Sequence, residues 1–293
     1  MRFYLAKRES THKSIKRIFV DLINENMLLL SLEGDNVDKS IHDARKNFKK
    51  LRAVLRLVRS DLSPHFYKTH NTHFRNLSRK IAGLRDSFII IETLEKLLSE
   101  NNRKLEEYNS LISYLKNDYF ETKNRILFEE NSPLSVISSL QFSLNEFENM
   151  PLISDGFDTL ELGIENIYSK GKYFLNTTYS IPTSEVFHEW RKNVKYLWHL
   201  LQIIQPINYR RLKKLTKDFK NLSDFIGDEH DLFELQNTLL AKNIEDLQLI
   251  QMIKAKQFSL RADAWKLGEK LYSSSAKDFV IPLKNDYMKW KNN

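Results

Sequence analysis

Two stretches of this 293-residue chain place imidazole and cationic side chains one helical turn apart. The first runs His42, Arg45, Lys46, Lys49, Arg52, Arg56 and Arg59; the second runs His188, Arg191, Lys192, Lys195 and His199. On an α-helix the first set falls within a sector of about 140°. Ala44, Phe48, Leu51, Val54, Leu55 and Val58 occupy the other side, so one face is apolar and one is cationic. Such a row suits anion binding, because Arg grips phosphate oxygens in a two-pronged fashion while Lys supplies a mobile point charge. A merely solvated face mixes signs and gains from i,i+4 ion pairs, whereas neighbouring cations cost a few tenths of a kcal/mol each. Between His42 and Arg59 the only acid is Asp43. The second row is thinner, with Gln202 and Gln205 in place of Arg56 and Arg59.

A further basic row, Arg210, Lys213, Lys214 and Lys217, follows with Lys220 one turn on. Its first-half counterpart is His65, Lys68, Arg75 and Arg79. Facing rows on adjacent helices would make a groove that focuses potential on a linear polyanion. Near dense phosphate, His42 and His188 favour their imidazolium forms, so binding is expected to strengthen below about pH 6.5. His230-Asp231, with Asp228 and Glu229, has the residue types of a metal-dependent phosphohydrolase. The matching first-half pair is Arg85-Asp86, and Arg cannot ligate a metal, which favours phosphate contact or a structural role for Arg85 and His230. Asp86 and Asp231 each follow a Gly-containing stretch and are expected at helix starts, where an acid meets free N–H groups. No Gly-rich phosphate loop, G-x-S-x-G or H-E-x-x-H is present, and neither metal nor cofactor is expected.

The elements that must position these residues occur twice. The frame H-[DE]-x-R-K-N-x-K-x-L recurs at 188 − 42 = 146 residues. The frame F-[RK]-N-L-S-x-x-I-[AG]-x-x-[RH]-D recurs at 231 − 86 = 145. Two blocks in one order at one offset indicate an internal duplication. The expected units are 1–149 and 150–293, joined near Met150–Gly156. Gly and Pro are scarce, at 7 and 6, which implies few tight turns and long helices. The spacing predicts first-half helices over Ser10–Leu32, with Gly34 as C-cap, Asp35–Ser60, Pro64–Arg79, Asp86–Ser99 after a break at Gly83, and Asn101–Glu130. In the second half it predicts 157–178, 183–205, 207–226, 228–243 and 245–272. The fold class is therefore all-α: two tandem bundles of long antiparallel helices, the product of an internal duplication.

Composition narrows the partners. A net charge of +8 favours phosphate-rich polymers or anionic surfaces. The absence of Cys excludes disulfides, thiolate catalysis and Cys-ligated zinc. The N-terminus reads MRFYLAKREST, without the apolar stretch of a signal peptide, and the longest apolar run is too short to span a bilayer. A soluble, cytoplasmic protein is expected.

These residues resemble the CHAD family, the conserved histidine α-helical domain. Its first hallmark, roughly H-x-x-R-x-x-x-[KR]-x-[LR]-R, is matched by His42, Arg45, Lys49 and Arg52, and in part by His188, Arg191 and Lys195. Its L-G-x-x-x-D turn is similar to Ala82–Asp86 and Ile226–Asp231. Trp198-His199 departs from the Arg-Tyr usual in the family. The resemblance implies two bundles related by a pseudo-twofold axis, with their basic helices facing a central cleft or pore, binding of inorganic polyphosphate, and association with polyphosphate granules. The expected function is non-catalytic polyphosphate binding. Its alternatives are RNA or other nucleic-acid binding, and a metal-dependent phosphohydrolase. Against RNA, Phe48 and Trp190 fall on the apolar face rather than among the cations, where base stacking would need them.

Overall fold

The structure is a computed structural model and describes residues 2–32 and 34–292. It is all-helical. The α-helices are α1 (Thr11–Leu30), α2 (Val37–Leu57), α3 (Pro64–Lys80), α4 (Ala82–Glu100), α5 (Asn109–Asn124), α6 (Ser132–Glu148), α7 (Asp158–Ser180), α8 (Ser184–Ile204), α9 (Tyr209–Ala241), α10 (Leu247–Leu271) and α11 (Ala276–Asn292).

Local chemistry sets the helix starts. Ser10, Ser63, Thr183, Asn208 and Asp246 each accept a hydrogen bond from a first-turn amide. Such a cap contributes about 1 kcal/mol. Pro64 sits in the first turn of α3, where its missing N–H costs nothing.

The two helices with cationic rows are central. α2 packs on α1, α3, α7 and α8, while α8 packs on α2, α7 and α9. Their apolar faces are fully buried: Phe48, Leu51 and Val54 on one, Trp190, Val194 and Leu197 on the other. α7 crosses the C-terminal end of α2 in backbone contact. A Cβ on Gly163 would lie 1.7 Å from the Leu57 carbonyl oxygen, so only glycine allows the crossing. α4 crosses α9, with Lys96 paired to Asp228 at 2.7 Å.

The halves are tied together by polar contacts. The buried Asp61 carboxylate accepts from the Ile153 and Ser154 amides at 2.9 and 2.8 Å, fixing the linker. The N-terminal segment is clamped by Arg17, which donates to the Arg2 and Tyr4 carbonyls. That segment reaches α8 through Leu5 N–H to the Ile203 carbonyl at 2.9 Å.

Several expectations are corrected. Gly83 and Gly227 do not break helices. The first-half break falls at Ile81, and α9 runs through Gly227 without interruption. Asp231 is therefore mid-helix and Asp86 lies in the second turn of α4, so neither caps a helix start. Gly34 has φ +82° but opens a short 3₁₀ turn rather than capping α1, whose C-cap is Ser31. The expected helix 101–130 is shorter: Asn102 adopts a left-handed φ of 53°, α5 begins only at Asn109 after a short 3₁₀ turn, and Arg125–Glu129 closes it as a π-helical turn. α6 and α11 were not foreseen: α6 is Ser-rich and α11 contains Pro282, so neither announces itself by propensity.

Candidate anion-binding site

Where α2 meets α8, Lys49 faces Arg191 and Lys195. Each is half-buried by surface area, yet the surrounding atoms strongly desolvate all three. Burial pushes Lys49 down to about 8, assisted by Arg191 and Arg45 and opposed by Asp86 and Asp231. Burial also holds Lys195 well below the usual lysine range, with Arg191 and Lys49 adding repulsion. Arg191 is lowered by burial, against the pull of Asp231, Asp228 and Asp224. A group that still touches solvent but is this desolvated stands in a narrow recess. Among the described residues, none of the three has a carboxylate within ion-pair distance. The shift of Lys49 alone corresponds to roughly 3 kcal/mol of bias against its ammonium form.

The [AG] position of the repeat has a direct explanation here. A Cβ on Gly227 would come within 3.2 Å of the Arg191 guanidinium. Arg45, its repeat equivalent, donates to the Ala82 carbonyl and pairs with Asp86 at 2.9 Å. The motif keeps a small residue where the arginine of the His-headed helix lies across the next helix.

The cations divide into two groups. Arg45, Lys46, Arg85 and Lys192 are matched by Asp86, Asp43, Glu92 and Glu189 respectively. This corrects the reading of a row free of carboxylates, because the acids come from the same turn or from α4. Arg52 and Arg56 have no acidic partner among the described residues. They share the Asn71 amide oxygen at 3.2 and 2.8 Å, and the Arg56 guanidinium lies 4.0 Å over the Tyr196 ring. Arg52 is lowered by burial, with Arg56 and Arg75 pushing the same way against Tyr196. The Nε atoms of Arg75 and Arg191 are buried without a protein partner. Unsatisfied donors of this kind each cost about 1–3 kcal/mol.

The histidines start far from imidazolium. Burial lowers His42 and His188 to about 4, with Arg85 the next cause at His42 and Arg191 at His188. His230 is lowered to about 3 by burial and His188, whose ring centroid is 4.3 Å away. The expected pH window below 6.5 therefore moves downward, because burial, aided by the neighbouring cations, opposes protonation. His199 is corrected outright as a site residue. It is 4% exposed, bonded to Gln202 and stacked on Trp198, because the N-terminal segment covers this end of α8.

Arg79 is exposed at the end of α3, and Arg210, Lys213, Lys214 and Lys217 are exposed on α9. Stepping back along α9 at about 100° per residue, Lys217 and Lys213 lie on the Asp231–Asp224 face, the one whose charges act on Lys195. A cavity of about 480 Å³ between α4, α9 and α10 adjoins the site through Arg85 and Asp231. Glu92, Glu95, Glu100 and Asp228 also line it, and its bases Lys96 and Lys256 are ion-paired, so it does not extend the cationic surface.

Glu229 does not join His230 and Asp231. It is fully buried, paired to Arg261 at 2.6 Å and accepting from Ser184 at 2.8 Å, a structural tie among α8, α9 and α10. Among the described residues, no three His, Asp or Glu side chains are grouped to hold a metal ion. No helix of the described residues is long and apolar enough to cross a membrane. The sequence reading missed Asn71 and Tyr196, whose roles depend on the α2–α3 and α2–α8 crossings.

The fold and site define an all-helical protein in which two His-headed helices bring desolvated, unneutralised cations together. The CHAD domain family profile matches residues 24–240, most of the chain, and the chain belongs to that family. No curated protein matches it.

Proposed function

We propose that this protein binds inorganic polyphosphate, without turnover, in the recess between α2 and α8. One observation carries the reading: Lys49, Arg191 and Lys195 are desolvated together, and among the described residues no carboxylate lies within ion-pair distance of any of them. A fold gains nothing from such a trio, which destabilises the empty protein. A dense line of phosphates would neutralise it and satisfy the orphaned arginine donors. Bases are not required for this, and the aromatics nearest the cations, Trp190 and Tyr196, are buried rather than exposed for stacking.

We further infer that residues 1–149 and 150–293 are duplicated units about a pseudo-twofold axis. In support, the contacts between halves include α2 with its equivalent α8, and α4 with α9, whose C-terminal part is its equivalent, the kind of pairing a twofold axis produces. A cytoplasmic location at polyphosphate granules fits this reading.

The test is a titration with long-chain polyphosphate at two salt concentrations, comparing the natural chain with Lys49→Met/Arg191→Gln/Lys195→Met. The natural chain should show a steep log–log salt dependence, approaching about −0.7 to −0.9 per neutralised phosphate. The triple variant should bind at least about a hundredfold more weakly. Tighter binding of RNA than of polyphosphate at equal salt would refute the proposal, as would phosphate release from the polymer by the purified protein.

A further inference from the structure

Two lysines of the recess differ in kind from their neighbours. Lys46 and Lys192, on the same two helices, are tied to Asp43 and Glu189. Among the described residues, Lys49 and Lys195 have no carboxylate within ion-pair distance. Both are half-buried rather than sealed, so a small molecule can reach them. Arg191 stands one turn before Lys195 on α8, at the spacing where helical side chains meet. Its guanidinium lies against Gly227, and its Nε is buried without a protein partner. A phosphate-gripping group with a donor to spare is thus set beside two amines that face each other across the α2–α8 crossing.

An amine attacks an electrophile only in its uncharged form. Burial, aided by Arg191, pushes Lys49 down to about 8 and holds Lys195 well below the usual lysine range. Desolvated or cation-flanked lysines become nucleophiles in this way. The recess therefore joins an anion grip to amines able to react with what the grip holds.

We infer that Lys49 and Lys195 are a modification site for acyl phosphates: the Arg191 guanidinium holds the phosphoryl group, an amine beside it takes the acyl group, and the amide so formed removes a charge that polyphosphate needs. This is a regulation of the polyphosphate site and rests on that reading. In the step the Nζ lone pair adds to the acyl carbon and an N–C bond forms. The bond from that carbon to the phosphate oxygen breaks, and inorganic phosphate leaves with the electron pair. The amine proton passes to the departing phosphate or to water. The charge that develops on the leaving group meets the guanidinium donors already in place. Each acylation deletes one cation from the recess. A bound polymer covers the same amines and favours their ammonium forms, so polymer and acyl donor exclude each other.

The experiment treats the full chain with acetyl phosphate and reads acetyl occupancy at each lysine by peptide mass spectrometry. Lys49 and Lys195 should acetylate at least about tenfold faster than the exposed Lys254 and Lys277. The rate at Lys49 should level off above about pH 8. The groups facing it through that titration are His42 and Arg45 from α2, His188, Arg191 and Lys195 from α8, Asp86 from α4, and His230 and Asp231 from α9. N-acetoxysuccinimide, an uncharged donor without a phosphoryl group, should favour the two lysines less, and Arg191→Gln should erase the difference between the reagents. Acetylated protein should bind polyphosphate at least about tenfold more weakly than untreated protein. In Lys49→Arg/Lys195→Arg, treatment should leave that variant's own affinity unchanged. Equal acetylation of all four lysines overturns the inference, as does the same site preference with both reagents. Selective acetylation that bound polyphosphate does not block overturns the regulatory link. Failure of the untreated chain to bind polyphosphate overturns the underlying reading instead, and the acetylation pattern, which needs no polymer, tells the two failures apart.

Discussion

The two copies of the His-headed helix share a sequence frame but not a role. In α2, Arg45 is tied to Asp86 and the Ala82 carbonyl, while Arg52 and Arg56 are bare. In α8, Arg191 is bare and lies across Gly227, while the positions matching Arg52 and Arg56 are Trp198 and Gln202. α8 thus supplies unneutralised charge at the head of the motif and α2 supplies it at the tail. The copy that looks weaker in sequence holds the deepest cations, because its C-terminal end is covered by the N-terminal segment and its head is enclosed by α9. A count of charges along one helix is therefore a poor guide to which of them an anion meets.

The largest contrast is expected between the two equivalent arginines. Arg191→Gln should lower polyphosphate affinity about 10- to 100-fold, the loss of a charge-assisted contact, without destabilising the empty protein. Arg45→Gln should do the reverse, with a smaller loss of affinity and about 1–3 kcal/mol of stability removed with its bonds to Ala82 and Asp86. Paired titrations and thermal unfolding check both, and equal behaviour would erase the distinction between the copies.

Next in size is Lys195→Met. Removing a desolvated, unpaired ammonium should raise the melting temperature of the empty protein by about 2 °C, for roughly 1 kcal/mol, while weakening binding. A variant that loses both stability and affinity would mean that Lys195 has an internal role.

Acidity separates the same terms. Lys49 is lowered in the folded chain, so the unfolded chain holds more protons between about pH 8 and the ordinary lysine value. The empty protein should gain up to roughly 3 kcal/mol as pH rises through that window. A bound anion favours the ammonium, so affinity should fall over the same range. On the acid side His42, His188 and His230 are depressed. Their contribution to stability is full above about pH 6.5 and is lost as pH falls toward about 4, while an anion that favours imidazolium binds more tightly there. Unfolding and binding measured across pH 5–10 should therefore run in opposite directions at both ends.

The smallest effects belong to the exposed local pairs. Lys46→Gln and Lys192→Gln each remove an i,i+3 partner of a neighbouring acid. Stability should change by less than about 0.5 kcal/mol, and affinity by less than for any bare cation.

The sequence alone determined the helical class, the repeat, the buried faces of α2 and α8, and the identity of the basic rows. These follow from local periodicity and from two frames recurring at one offset. It also placed Lys49, Arg191 and Lys195 among the candidates. It could not sort the bare from the neutralised cations, because Asp86, Glu92 and Asp231 arrive from other helices. Nor could it place the pocket of about 330 Å³ lined by Arg56, Arg59, Ser60, Asn166 and Lys170, which forms where Gly163 lets the α7 backbone touch Leu57 of α2. Helix faces are fixed by spacing along the chain; the field at a site is a sum over neighbours in space, and only the tertiary structure decides who those neighbours are.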